Sequence, residues 1–299
     1  MNVKTPFLRT SKAANLGAKT PWKVEVDGKV EAAFLFGTAL AEDLVPFAIR
    51  RLRLVILPLM TRDGKLIMLH PDEMLEEGAP LACDWVKQAE AIWEEKKKAT
   101  QPSIYDYLNY DQKLTKQNPQ AQFVVLYNRS GTNIAASYLT PSEFGRVGLL
   151  PIRGFIADFA MYRCYASSES EAGYLAGILN SSFVNEAIKP YQTHGLKGER
   201  DITRRPFEVC PIPLFDPKNS LHREISAVAS DARQVMVKWR HKIEGNAAQA
   251  RKAARNLIQP ELGKLNDLVA TLMEREGQVE VTPPGRGPRT ASLFAKPKE

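Results

Sequence analysis

The segment from Lys189 to Pro206, KPYQTHGLKGERDITRRP, gathers the side chains of this chain best suited to chemistry with a polyanion. Lys189, Lys197, Arg204 and Arg205 have the charge and reach to neutralise phosphates. Gln192, His194 and Arg200 carry groups that hydrogen-bond base edges. Gly195 and Gly198 let backbone come close to a ribose-phosphate chain. The spacing therefore points to a nucleic-acid-binding loop. The competing reading is a surface loop in which Arg200 and Asp201 pair locally.

Other chemistries find less in the sequence. Pro71-Asp72 followed by Glu94-Glu95-Lys96 satisfies the loose PD…ExK spelling of metal-dependent nucleases, so Asp72, Glu94 and Lys96 stand as the alternative site. Such carboxylates must converge on a divalent metal, whereas the apolar period places Glu94 to Lys98 on the polar face of a helix. The histidines at 70, 194, 222 and 241 have no nucleophile elbow to serve. Cys83, Cys164 and Cys210 form no CxxC and read as buried reduced thiols. An adenine methyltransferase needs a Gly-rich turn after a strand and an Asn/Asp/Ser-Pro-Pro-aromatic tetrapeptide. The nearest strings, Phe34 to Gly37, Asn118 to Ala121 and Thr282 to Gly285, supply neither. No catalytic residue, cofactor site or metal site is expected in this chain.

The elements that must position the loop are legible from periodicity. Lys23 to Val26 and Val30 to Leu35, joined by Asp27-Gly28, predict a hairpin, and Leu52 to Leu69 predicts a second one turning at Arg62-Asp63-Gly64, both in one antiparallel sheet. Asp84 to Lys98 reads as an amphipathic helix, Gln122 to Leu126, Ile134 to Tyr138 and Gly154 to Tyr165 as strands, and Ala172 to Asn185 as a helix. The six prolines and glycines between Lys189 and Pro213 exclude regular structure there. Asp216 to Ser220 supplies turn and cap chemistry. From Leu221 to Ile243 an apolar stripe predicts a long helix, broken at Gly245, resumed at Gln249, stopped at Pro260 and followed by a last stripe to Met273.

With 299 residues, 44% hydrophobic and 25% charged, the chain is a globular protein with room for a sizeable core. Its +7 charge, from 41 Lys+Arg against 34 Asp+Glu, suits a polyanionic partner without demanding one. No run of about eighteen apolar residues exists, so no membrane span is expected. The basic N-terminus lacks the apolar core of a secretory signal, and a cytoplasmic location is expected.

Three strings carry a family resemblance: EAGYLAGILNSS at 171–182, GLKGERDI at 195–202 and CPIPLFDPKN at 210–219, followed by the helix opening at His222. In this order they resemble the C-terminal target-recognition region of N6-adenine DNA methyltransferases. In particular they look like the specificity half of type IIG-like restriction-modification enzymes and related phage-defence methylases. Val30-Glu31, Leu44 to Phe47, Gly131-Thr132 and Ala135-Ala136 resemble the spacer and first recognition strands, so the resemblance covers roughly residues 20 to 245. Family members carry their cofactor-binding and catalytic motifs upstream, and this chain begins after them. The resemblance therefore implies an α+β fold with a mixed or antiparallel-sheet target-recognition domain over 21–220, to which composition and periodicity add a flexible N-terminus over 1–20, a helical extension over 221–277 and a disordered tail over 278–299. It implies sequence-specific binding of double-stranded DNA, with S-adenosylmethionine held on a missing catalytic domain or a separately encoded methyltransferase subunit. A non-catalytic module that pairs with a methylase is the further alternative.

Overall fold

Helices and small antiparallel sheets make up the α+β fold of the computed structural model, which describes residues 3–20, 22–195 and 198–277. The expected tail over 278–299 lies outside the described residues. The chain divides into two compact units that take turns along the sequence: the first comprises 1–38, 53–120 and 142–156, the second 39–52, 121–141 and 157–299. The helices beyond residue 220 share the core of the second unit, so the chain does not divide at 220 into a recognition domain and a helical extension.

In the first unit the expected hairpin at Asp27-Gly28 does not form. Asp27–Lys29 is itself a strand, paired antiparallel with Phe7–Arg9. Thr10 and Asn15 continue the attachment: the Thr10 hydroxyl accepts from the Val26 N–H at 2.9 Å, and the Asn15 side chain brackets Val24 at 2.6 and 3.2 Å. These bonds tie down most of the segment read as a flexible N-terminus, and they offer Asp27-Gly28 a partner strand instead of a turn. The second hairpin does form, between Leu59–Arg62 and Lys65–Met68, and its turn residues Asp63 and Gly64 take the positive φ of 52° and 73° that a type I′ turn needs. The two expected hairpins do not share a sheet: Leu35–Thr38 pairs with Arg53–Ile56, and Leu59–Arg62 with Lys65–Met68 in a separate ladder.

The helix Pro80–Lys96 begins four residues before its apolar period. Pro80 occupies the first turn, where its missing N–H costs nothing, and the Glu31 carboxylate caps the end by accepting from the N–H groups of Leu81 and Ala82 at 3.0 and 2.6 Å. Gly154, at φ 143°, lets the chain pass the Pro119 carbonyl, and a Cβ there would stand 1.9 Å from that oxygen.

The second unit is built on a three-stranded antiparallel sheet in the order Ala136–Leu139, Phe123–Asn128, Met161–Ala166. Against it lies the helix Glu169–Asn180, capped by Ser168 and buried at every position from Ala172 to Asn180. Buried all round, it needs cover beyond the sheet, and the helix Ser220–Trp239 supplies it through Leu221, Ile225, Ala229, Ala232 and Met236. The crossing is close because Gly173 and Gly177 have no side chain: a Cβ on Gly177 would sit 3.1 Å from Ile225 and 3.3 Å from Ala229, and one on Gly173 would sit 3.2 Å from the Ser226 hydroxyl. The helix expected over 172–185 is two. Ser181 interrupts it in extended conformation, and its hydroxyl accepts from the Val184 N–H to start Ser182–Ile188, a competition with helical bonding typical of serine.

The remaining helix signals act locally. Asn219 caps Ser220–Trp239, Gly245 takes φ 90° between helices, and Asn246 with Gln249 forms a reciprocal capping box that opens Ala247–Leu257. Pro260 falls in the first turn of the helix Gln259–Gly277. His222, in the first turn of its helix, is 3% exposed between the rings of Tyr174 and Phe215. Its Nδ1 accepts from the Asp216 N–H at 3.0 Å, which requires a neutral ring.

Two outcomes follow from these contacts. Gly154→Ala should lower the unfolding free energy by at least about 2 kcal/mol in chemical denaturation, since the Pro119 backbone must move to admit the methyl group. Burial holds the His222 pKa below its ordinary 6.5, with Asp216 and Glu276 opposing the shift in part. Below that value the unfolded chain binds a proton that the folded chain refuses, so stability is full above 6.5 and falls with pH beneath it. His222→Gln should flatten that acid limb in unfolding curves measured from about pH 7 to pH 5.

Candidate nucleic-acid interface

One end of the strand Phe123–Asn128 organises the site. Asn128 is fully buried, and its side chain does the work of a missing ladder: Nδ2 donates to the Ser130 and Asn133 carbonyls at 2.9 and 3.2 Å, while Oδ1 accepts from the Ala135 N–H at 2.7 Å. The turn over 129–133 is thereby held in one conformation. Its backbone then collects two other segments. The Arg129 N–H donates to the Ala160 carbonyl at 2.9 Å, and the Arg129 carbonyl accepts from the Thr203 N–H at 3.1 Å.

The segment 198–205 turns sharply about Ile202, which is completely buried. Asp201 and Thr203 on either side take positive φ of 56° and 46°, a conformation costly for a β-branched threonine. The Thr203 backbone is held there from both sides, since its carbonyl also accepts from the Tyr127 hydroxyl at 2.9 Å. Burial raises the Tyr127 pKa well above 10, so the phenol stays a donor. With Ile202 as the pin, Arg200 and Arg204 emerge exposed on its two flanks.

The residues expected to contact DNA therefore play different parts. Arg200 and Arg204 are exposed, and Arg205 is half-buried with its guanidinium over the Tyr191 ring at 5.6 Å. Asp201 accepts from the Thr193 hydroxyl rather than pairing with Arg200. Lys189 opens a short 3-10 turn, where its ammonium pairs with Glu186 at 2.8 Å. Gln192 is buried, and its Nε2 donates to the Gly131 carbonyl at 2.9 Å, so it tethers this segment to the 129–133 turn instead of facing a ligand. His194 lies in a two-residue ladder with Glu199, and Lys197 lies outside the described residues.

Two residues absent from the sequence reading join them. The guanidinium of Arg129 lies over the Phe159 ring at 4.2 Å, and Phe159 is 59% exposed. The sequence signal was an Arg-Ser-Gly turn after a strand, and nothing local says that it meets a segment some 70 positions later. The loop cluster thus carries Arg129 over Phe159, Arg205 over Tyr191, and the exposed Arg200 and Arg204.

Two arginines of the C-terminal helices have another use. Arg251 donates through Nε to the Leu44 carbonyl at 3.1 Å and through Nη2 to that of Ala41 at 2.6 Å. Arg255 donates to the carbonyls of Ile134 at 2.6 Å and Asn180 at 3.5 Å, and Arg50 to those of Glu42, Ile243 and Gly245. Burial and the neighbouring charges of Arg255 and Arg50 bring the Arg251 pKa down to about 10. These guanidinium groups bond backbone, and their role is to hold loops.

The nuclease spelling is not assembled. Asp72 lies in the helix Pro71–Glu76, where the Cys83 thiol donates to the Pro71 carbonyl at 3.4 Å. Glu94 stands eleven residues beyond Cys83 on the helix Pro80–Lys96, roughly 16 Å further along its axis, and pairs with Lys97 at 2.8 Å. All three cysteines are free and buried, as expected, and burial pushes the thiols of Cys164 and Cys210 up to about 12 and 11. Among the described residues no helix is long and apolar enough to cross a membrane. No protein-family model matches the chain, and no curated protein matches it significantly.

Arg255→Met should destabilise the chain by about 2–4 kcal/mol in urea unfolding, because it strips the Ile134 and Asn180 carbonyls of a charged donor. Arg255→Lys should recover less than half of the loss, since one ammonium lacks the forked geometry to reach both oxygens.

Proposed function

We propose that this chain is the sequence-reading part of an N6-adenine DNA methyltransferase or restriction-modification system, binding double-stranded DNA and leaving methyl transfer, with its S-adenosylmethionine, to a catalytic domain or subunit outside it. The observation that carries the reading is the convergence of three loop segments on the end of one strand, which brings four arginines and two exposed rings into one loop cluster. Guanidinium groups on a rigid loop cluster suit phosphate neutralisation, and their forked donors suit base edges. Arg200, Arg204 and Arg205 were expected in this role, and Arg129 is added to them. Lys189 and Gln192 have local partners and contribute by shaping the segment. Of the three strings that resemble target-recognition regions, GLKGERDI ends at the turn residue Ile202 of this cluster, while EAGYLAGILNSS forms the buried helix behind the sheet.

Salt dependence tests the proposal directly. If each of the four arginines neutralises one phosphate, the logarithm of the association constant for a short duplex should fall against log salt with a slope of roughly −3.5. Replacing Arg204 and Arg205 together by alanine should flatten that slope by about two units, measured by fluorescence anisotropy. An unchanged slope removes this segment from the interface.

A further inference from the structure

We propose that an open pocket in the first unit binds the arginine side chain of a basic segment on a protein partner. The pocket encloses about 450 Å³, within the range of about 300–1,000 Å³ usual for ligand sites, and no lysine or arginine is among the residues that line it. Met68, the last residue of the strand Lys65–Met68, supplies its apolar part, and His70 and Tyr105 supply a pair of rings with centres 4.3 Å apart. Tyr105 is buried, and its hydroxyl donates to Glu90 at 3.2 Å, which fixes that ring. Tyr110 joins the lining with 72% of its surface in solvent, as do the carboxylates of Asp106 and Asp111.

Charge selects the ligand. From His70 to Asp111 the sequence holds ten Asp and Glu against four Lys, a local −6 in a chain whose total is +7. A cation is therefore drawn to this stretch, whereas the basic remainder of the chain repels it. The two pocket carboxylates are not consumed by the fold. Asp106 accepts from the Ser103 hydroxyl through Oδ2 at 2.7 Å, and Asp111 pairs with Lys116 through Oδ1 at 3.1 Å, so each has a second oxygen to offer. The Lys116 pair lies largely in solvent, where such a pair contributes little, and a better-placed cation can displace it. Carboxylates beside ring faces suit a guanidinium better than an ammonium, because its plane stacks on the rings while its forked N–H groups reach the oxygens. The volume admits that side chain with part of the peptide carrying it, and arginine is among the residues that most often anchor protein interfaces.

The test is an NMR titration of the full chain, isotope-labelled at its methionine methyl groups, with the peptide acetyl-Gly-Arg-Gly-amide and its lysine and glutamine counterparts at low salt. The Met68 methyl signal, identified by its loss in Met68→Leu, should shift saturably with the arginine peptide. That peptide should bind at least about fivefold tighter than the glutamine peptide and about threefold tighter than the lysine peptide. Asp106→Asn with Asp111→Asn should weaken it at least about fivefold, and Tyr110→Leu about threefold. All three side chains are exposed, so the melting midpoint should not move. Lys116→Gln, which removes the cation resting on Asp111, should tighten binding about twofold. Asp84→Asn with Glu95→Gln removes the same charge from the helix Pro80–Lys96 outside the pocket and should leave binding within about twofold. An equal loss in that control overturns the proposal in favour of diffuse attraction, and a lysine peptide that binds as well overturns the guanidinium assignment. A Met68 methyl that does not respond overturns the site. The DNA reading concerns the second unit and stands or falls separately.

Discussion

The second unit depends on one helix that is buried on every side beyond its first turn. Glu169–Asn180 is buried from Ala172 to its end, and its glycines at 173 and 177 admit Ser220–Trp239 and the Leu265 side chain of Gln259–Gly277 at close range. A side chain at either glycine would push Ser220–Trp239 away by a few tenths of an ångström along a seam lined by Ile225, Ser226 and Ala229. Interiors packed like organic crystals do not absorb such a shift without loss of contact elsewhere. The C-terminal helices are therefore placed by the same two missing methyl groups.

Burying a helix completely also buries its end, and the polar groups there need partners. Asn180 meets this need by bonding both sides of the Ala136 backbone, at 3.0 Å to the N–H and 2.8 Å to the carbonyl, and Asn185 accepts from the Ile134 N–H at 2.7 Å. Asn128 does the same for the following turn, and Arg255 reaches the Ile134 carbonyl. The irregular chain around 129–135 is thus bonded by side chains where a longer sheet would have used a ladder. That substitution connects core to function: a ladder would have committed the backbone to neighbouring strands, whereas side-chain partners leave the Arg129 backbone to gather residues 160 and 203.

What could be read from sequence was what a few adjacent residues decide. The Asp63-Gly64 turn, the Asn219 cap, the Gly245 break and the apolar stripe from Leu221 to Met236 all act within a turn or two of themselves, and each is found in place. Asp27-Gly28 carries the same turn chemistry and fails, because Phe7–Arg9 competes for its backbone from twenty positions away. The division of 172–185 into two helices was hidden in the choice Ser181 makes between helix bonding and capping. At the site, the run of arginines was visible as composition. The pin at Ile202 and the pairing of Arg129 with Phe159 were not, since each needs the fold to exist before it has meaning. Gln192 shows the opposite error: a residue type suited to reading bases is consumed by Gly131.

The bonds from Arg251 to the carbonyls of Ala41 and Leu44 join positions 210 and 207 residues apart. During synthesis at about 5–20 residues per second, the hairpin over 44–49 leaves the ribosome roughly ten to forty seconds before the arginine that will hold it. Throughout that interval the Ala41 and Leu44 carbonyls lack the arginine, although Phe47 at the turn can already donate its N–H to the Ala136 carbonyl. The second unit closes last, from its C-terminal end, so a nascent chain arrested before Ala247–Leu257 would display unpaired hairpin and apolar surface to the quality-control machinery of the cell.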